Sequence, residues 1–220
     1  MKSLSLLVAV CLLAAPAGAQ ETKESQAAMT PVAALERLKE GNARFVANTL
    51  KSRDWSAKVA ATAAGQYPFA AVLGCMDSRA PIEILFDQGV GDVFGVRVAG
   101  NVVNDDELGS LEYAVLVGTK LIVVLGHTKC GAVKGAIEGV ELGHLSGLLA
   151  KIQPAEDGAS CRDRKQDACV NEVARRNVLQ SMAQIRARSA YIKRALDEDK
   201  VDLVGGMYDV STGKVSFFEK

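Results

Sequence analysis

Phe69-Ala70-Ala71-Val72-Leu73-Gly74-Cys75-Met76-Asp77-Ser78-Arg79 runs from apolar residues through one glycine into side chains that can bind a metal or an anion. The apolar part, Phe69 to Leu73, fits a buried strand. The same order recurs downstream: Leu121 to Leu125 is apolar, Gly126 follows, and His127-Thr128-Lys129-Cys130 closes the stretch. An α/β sheet presents chemistry in this way, at the carboxyl ends of its parallel strands. Cys75, His127 and Cys130 together offer two thiolates and an imidazole, a soft set that suits zinc. A catalytic zinc takes three protein ligands and keeps its fourth position for water. Asp77 is near enough to Cys75 in sequence to reach that fourth position, or Arg79 can hold its carboxylate instead.

Outward from these stretches, apolar runs alternate with helical patterns. Gln20 to Met29 is polar and without periodicity, which predicts a flexible lead-in. Thr30-Pro31 gives an N-cap and a first-turn proline, and Leu35, Leu38 and Phe45 mark one face of a helix to about Asn48. Lys51 to Ala64 predicts a weaker helix, broken at Gly65-Gln66-Tyr67-Pro68. Asp92 to Val98 predicts a further strand. Asp105-Asp106-Glu107 opens a helix through Val117 with acids where the macrodipole favours them. Cys130 to Val140 is weakly helical, Gly143 to Ile152 is a short helix, and Pro154 to Ala168 is a polar excursion. One long helix then carries Val178, Met182, Ile185, Ile192 and Leu196 on one face, with Arg175, Arg176, Arg186 and Arg188 on a solvated side. Asp202 to Val210 and Lys214 to Phe218 flank a turn at Ser211-Thr212-Gly213. The fold class is α/β: a small, mostly parallel β-sheet flanked by helices, with a C-terminal hairpin, in a single domain over 30–220.

Composition sets limits on partners. Lys and Arg total 26 and so do Asp and Glu, so no domain-wide basic field draws in nucleic acid. Aromatics are 5% of the chain, too few for base-stacking platforms. Residues 1–19 are expected to be an export signal peptide: Lys2, an apolar run from Leu4 to Ala15, and the small residues Ala17-Gly18-Ala19. That run is too short to span a membrane comfortably, so no membrane span is expected in the mature chain. The mature protein is then periplasmic or secreted, where disulfides persist. Removing the signal removes Cys11 and leaves Cys75, Cys130, Cys161 and Cys169. With two of these assigned to metal, a disulfide between Cys161 and Cys169 is expected.

Two other uses of the key residues stay open. Cys75 and Cys130 can pair as a disulfide, which leaves Asp77, Arg79 and His127 unexplained. A structural zinc knot normally closes with four ligands and has no need of Arg79.

Cys75-Met76-Asp77-Ser78-Arg79 and Gly126-His127-Thr128-Lys129-Cys130-Gly131, with Arg97-Val98-Ala99-Gly100-Asn101 and Glu112-Tyr113-Ala114-Val115, resemble the β-class carbonic anhydrases over roughly residues 30–218. The resemblance implies one zinc per chain on Cys75, His127 and Cys130, and a catalytic dyad of Asp77 and Arg79. It implies reversible hydration of carbon dioxide to bicarbonate, an N-terminal helix that grips a partner, and a homodimer or dimer of dimers. In the family's closed state the dyad aspartate becomes the fourth metal ligand; the closing subgroup carries tryptophan where this chain has Val72. The open subgroup carries glutamine where this chain has Gln66, and Phe94 and Tyr113 match aromatics of its narrow cavity. The implied substrate pocket is therefore Gln66, Val72, Phe94, Tyr113 and Gly131, with Gln66 arriving across the dimer contact. Rival readings are a same-fold hydrolase of carbon disulfide or carbonyl sulfide and a non-catalytic periplasmic zinc binder. His144, the second histidine, is expected to be a plain surface residue.

Overall fold

The computed structural model describes residues 21–157 and 166–218. Strands β1 (Ala70–Gly74), β2 (Val93–Arg97), β3 (Leu121–His127), β4 (Asp202–Tyr208) and β5 (Val215–Phe217) form one sheet in the order β2-β1-β3-β4-β5. The first four are parallel and β5 is antiparallel to β4. Every residue of β1 and β3 is buried, as expected of central parallel strands covered on both faces. Alternation splits their side chains. Val72, Leu121, Val123 and Leu125 pack with Leu38, Phe69, Leu85 and Phe86 on one face. Ala71, Leu73, Ile122 and Val124 pack with Leu111, Val178, Ile185 and Ile192 on the other.

The helices begin earlier than the sequence predicts. Within the expected flexible lead-in lies α1 (Lys23–Ala28), fixed by a capping box between Thr22 and Ser25. Gln26 is buried and donates to the Pro68 carbonyl at 2.8 Å. This segment docks through hydrogen bonds, which is why apolar periodicity gave no sign of it. Next come α2 (Pro31–Val46), capped by Thr30 with Pro31 in its first turn, and α3 (Trp55–Thr62), capped by Asp54. The short α4 (Ile82–Leu85) joins β1 to β2, and α5 (Asp105–Leu116), with a capping box between Asn104 and Glu107, returns to β3.

Between β3 and β4 lie α6 (Gly131–Ile137), α7 (Gly143–Leu149), α8 (Gln153–Asp157), α9 (Asp167–Arg188) and α10 (Ala190–Asp197). The expected polar excursion is thus partly helical, with Ile152 and Ala155 buried beside it. The single long helix expected here is two. Ser189 breaks it, leaves the helical region, and caps α10 through its hydroxyl, which accepts from the Ile192 N–H at 3.0 Å.

From β1 the chain turns outward to β2, then crosses back over β1 to β3 and continues outward to β4. The carboxyl ends of β1 and β3 therefore face a topological switch point, where open α/β sheets bind their ligands. Among the described residues, no helix is long and apolar enough to cross a membrane.

Candidate metal centre

The parallel pairing aligns Gly74 with Leu125, so β1 ends at Cys75 while β3 runs on through Gly126 to His127. Gly126 is required by packing: a Cβ there would lie 2.6 Å from Val178 Cγ2 and 2.8 Å from Met207 Sδ. After His127 the chain turns sharply. Lys129 adopts a left-handed conformation with φ of 55°, and its N–H donates to Asn171 Oδ1 at 2.8 Å. The Thr128 N–H donates to the Tyr208 carbonyl at 2.9 Å. This turn brings Cys130 back beside His127 as α6 begins.

The ligand atoms of Cys75, His127 and Cys130 all lie within 4.8 Å of one another, and all three residues are buried. His127 Nδ1 is 2.9 Å from the Thr128 carbonyl oxygen. A carbonyl only accepts, so Nδ1 carries the proton and Nε2 presents a lone pair. Nε2 is buried without a hydrogen-bond partner among the described residues. A buried, unpaired acceptor beside two sulfurs is costly unless a cation fills the space. The donor set fits zinc.

Within the pair of cysteines, Cys75 is the more acidic. Its hydrogen bond with Cys130 holds the Cys75 thiol down to about 4 against the opposing effect of burial, and the Gly100 N–H, 3.3 Å from the sulfur, adds to the shift. The same contact, together with burial, pushes the Cys130 thiol up. One proton shared by two sulfurs is what a dication would displace. No disulfide joins Cys75 and Cys130; both are free.

Asp77 and Arg79 stand next to the cluster. Arg79 Nε donates to Asp77 Oδ1 at 2.9 Å, Nη2 to Oδ2 at 2.7 Å, and the Arg79 backbone N–H to Oδ1 at 2.9 Å. This fork, more than any other neighbour, lowers the Asp77 carboxyl to about 2. Asp77 Oδ2 is 3.7 Å from His127 Nε2. Arg97 fastens the loop from below: its Nε donates to the Cys75 carbonyl at 3.0 Å and Nη2 to the Asp77 carbonyl at 2.6 Å.

The rest of the expected pocket is not gathered at this point. Phe94 on β2 and Tyr113 on α5 meet edge to face, with ring centroids 6.1 Å apart. Gly131 opens α6 directly after Cys130, and a Cβ there would meet nothing within 4 Å. Val72 is wholly buried in the sheet core rather than lining an opening, because its position in β1 points it at the α2 face. Gln66 precedes β1, at the opposite end of that strand from Cys75, and is exposed beside a cavity of about 360 Å³ lined by Thr62, Gly65, Val90 and Gly91. Within one chain Gln66 does not join the metal cluster. His144 is exposed on α7. Cys169 is buried in the first turn of α9, while Cys161, its expected partner, lies outside the described residues, as do residues 1–19.

Arg97, Asn171 and Asn177 support the site, and the sequence reading gave them no role. Arg97 opens the family-like stretch Arg97-Val98-Ala99-Gly100-Asn101, the one signal the sequence carries for it. Asn171 and Asn177 sit in a helix whose polar side read as solvated.

The sequence model of the family described as carbonic anhydrase matches residues 70–215. The chain belongs to the β-carbonic anhydrase family. It is 42% identical to carbonic anhydrase 2 of Mycobacterium tuberculosis over 196 residues, covering 84% of this chain and 91% of that protein. Among solved structures it is similar to the β-carbonic anhydrase CafA of Aspergillus fumigatus, with 28% identity, a TM-score of 0.69, and coverage of 86% of this chain and 90% of that one. It is also similar to tetrameric β-carbonic anhydrases of Sordaria macrospora, with 25% identity, a TM-score of 0.65, and coverage of 75% and 91%. The metal cluster and the Asp77–Arg79 pair both lie within the span matched by the carbonic anhydrase family.

Proposed function

We propose that this carbonic anhydrase converts carbon dioxide and water to bicarbonate and a proton, reversibly, at one zinc per chain held by Cys75, His127 and Cys130. The observation that carries the reading is the bare Nε2 lone pair of His127, buried between two thiols at the switch point. Zinc, when bound, supplies a Lewis acid that makes hydroxide available near neutral pH. The chain supplies the rest. Asp77 stays ionised across the working pH range and accepts only, so it orients the nucleophile by taking a hydrogen bond from it. Arg79 occupies both carboxylate oxygens, which supports Asp77 as a catalytic partner rather than a fourth ligand, the open form of the site. The apolar surround, Val102, Val133 and Val173 among it, suits a nonpolar gas and keeps the local dielectric low.

Gln66 completes the pocket from a second copy of the chain. Its distance from Cys75 within one chain supports this, as do exposed apolar side chains on α2, α3 and α5, Val32, Trp55 and Leu116 among them. The assembly is a homodimer or dimer of dimers. The protein is exported, with residues 1–19 removed, and Cys161 pairs with Cys169; Cys169 being a bonded rather than a free cysteine supports the pairing.

Loss of oxygen-18 from labelled carbon dioxide, followed by mass spectrometry on zinc-loaded protein, tests the activity. Catalysed depletion is expected; depletion at the rate of buffer alone contradicts it.

A further inference from the structure

We infer that Asn177 is a positioning residue for the metal centre: by holding the carbonyl of Gly100 it keeps the Gly100 N–H on the sulfur of Cys75. The inference rests on the three-ligand metal reading above.

The turn Ala99–Asn101 lies between β2 and α5, and Gly100 within it has φ of 68° and ψ of 17°. That conformation favours glycine, and a Cβ there would also press on Ile152 Cδ1 at 2.7 Å. A turn of three residues has little stability of its own. Locally it makes one bond, from the Asn101 N–H to the Val98 carbonyl at 3.0 Å. The remainder of its support comes from α9. Asn177 Nδ2 donates to the Gly100 carbonyl at 2.7 Å, and Ser181 Oγ donates to the Asn101 carbonyl at 3.0 Å. Both side chains are 1% exposed.

The Gly100 N–H and the Gly100 carbonyl lie on opposite sides of one α-carbon. Cys75 Sγ takes the first and Asn177 the second. Holding both groups restrains the two torsions between them, so Asn177 limits how far the N–H can turn from the sulfur. The next residue on α9, Val178, packs where a Gly126 side chain would stand, immediately before His127. One turn of α9 thus supports the ligand on β3 by packing and the ligand after β1 by hydrogen bonding.

An N–H directed at a thiolate stabilises its lone pairs and resists their protonation, so the sulfur stays a deprotonated ligand and holds its metal. Such outer contacts commonly change metal affinity by about 10–100-fold when lost. Without Asn177 the Gly100 carbonyl is left buried and unpaired, and the turn must move to satisfy it.

Wild-type protein loaded with cadmium-113 gives the direct test. Magnetic coupling between the metal and the Gly100 amide proton, carried through the N–H···S hydrogen bond, is expected. In cobalt-loaded Asn177→Ala the thiolate-to-metal charge-transfer band should move to lower energy, and zinc should pass to a chelator about 10-fold faster. In Ser181→Ala, an equally buried change on the neighbouring carbonyl, the band should stay in place. A protein that binds one metal yet lacks the Gly100 coupling overturns the inference alone, and so does an unmoved band in Asn177→Ala. A wild-type chain that takes up neither zinc nor cadmium overturns the metal reading and this inference with it. The coupling measurement needs no variant, so its absence overturns the inference even where Asn177→Ala does not fold.

Discussion

Arg79 holds both oxygens of Asp77, and Asp77 lies 3.7 Å from the unpaired Nε2 of His127. A carboxylate this close to a metal position would compete for it unless another cation held it. The fork geometry of the guanidinium fits that task, which a single ammonium could not perform in the same way.

Asp77→Asn should therefore keep its zinc and lose about 100-fold or more in hydration turnover. The amide can no longer pair with Arg79 through two acceptor oxygens. Zinc analysis and initial rates on the same sample check this. Near-normal turnover would reduce Asp77 to a structural part.

Because the native Asp77 carboxyl sits at about 2, its charge is present above that pH and is lost only as pH falls through it. An acid limb of activity between pH 4 and 6 should then not come from Asp77. Arg79→Ala removes the main cause of the depression, so the carboxyl rises toward its ordinary value and Asp77 becomes free to reach the metal. A pH–rate profile of the variant should show activity lost from the acid side upward, and an unchanged profile would count against the role given to Arg79.

Each ligand variant, Cys75→Ser, His127→Ala and Cys130→Ser, should emerge with less than stoichiometric zinc. Full zinc in any one of them removes that residue from the set.

Away from the site, Asp87 is buried and shared by Arg44 and Arg53. Burial opposes its charge, but hydrogen bonds from Arg44 and then Arg53 prevail and lower its carboxyl. A depressed carboxyl stabilises the fold above its unfolded value near 3.9 and loses that contribution as pH falls through the native value. Asp87→Asn, which tolerates the left-handed φ of 48° at this position, should cost about 3 kcal/mol at pH 7 and less at pH 3. Urea unfolding at both values measures it. Equal losses at the two would show that the charge is not the stabilising feature.

The two central strands and the clustering of Cys75, His127 and Cys130 at their ends were legible because burial on both faces leaves unbroken apolar runs and metal chemistry uses few residue types. The helix at Lys23–Ala28 was not, since it is anchored by a capping box and the buried Gln26 rather than by an apolar stripe. The break at Ser189 was hidden because Ile185 and Ile192, on either side of it, are seven apart, a spacing that also suits one continuous helix. The family resemblance implied Val72 as a pocket residue, and strand alternation turns it into the core within the chain. Asn171 and Asn177 act across 42 and 77 residues of chain, and local pattern carries no trace of contacts that distant.

The expected disulfide can be counted. Unfolded, zinc-stripped and unreduced mature protein should show two reactive thiols, from Cys75 and Cys130. Four reactive thiols would exclude a bond between Cys161 and Cys169.

Stopped-flow hydration of carbon dioxide, measured while zinc is returned stepwise to the stripped protein, tests the central claim most directly. The account predicts a rate that climbs in proportion to zinc and levels off at one equivalent per chain. Stoichiometric zinc with hydration no faster than in buffer would contradict it.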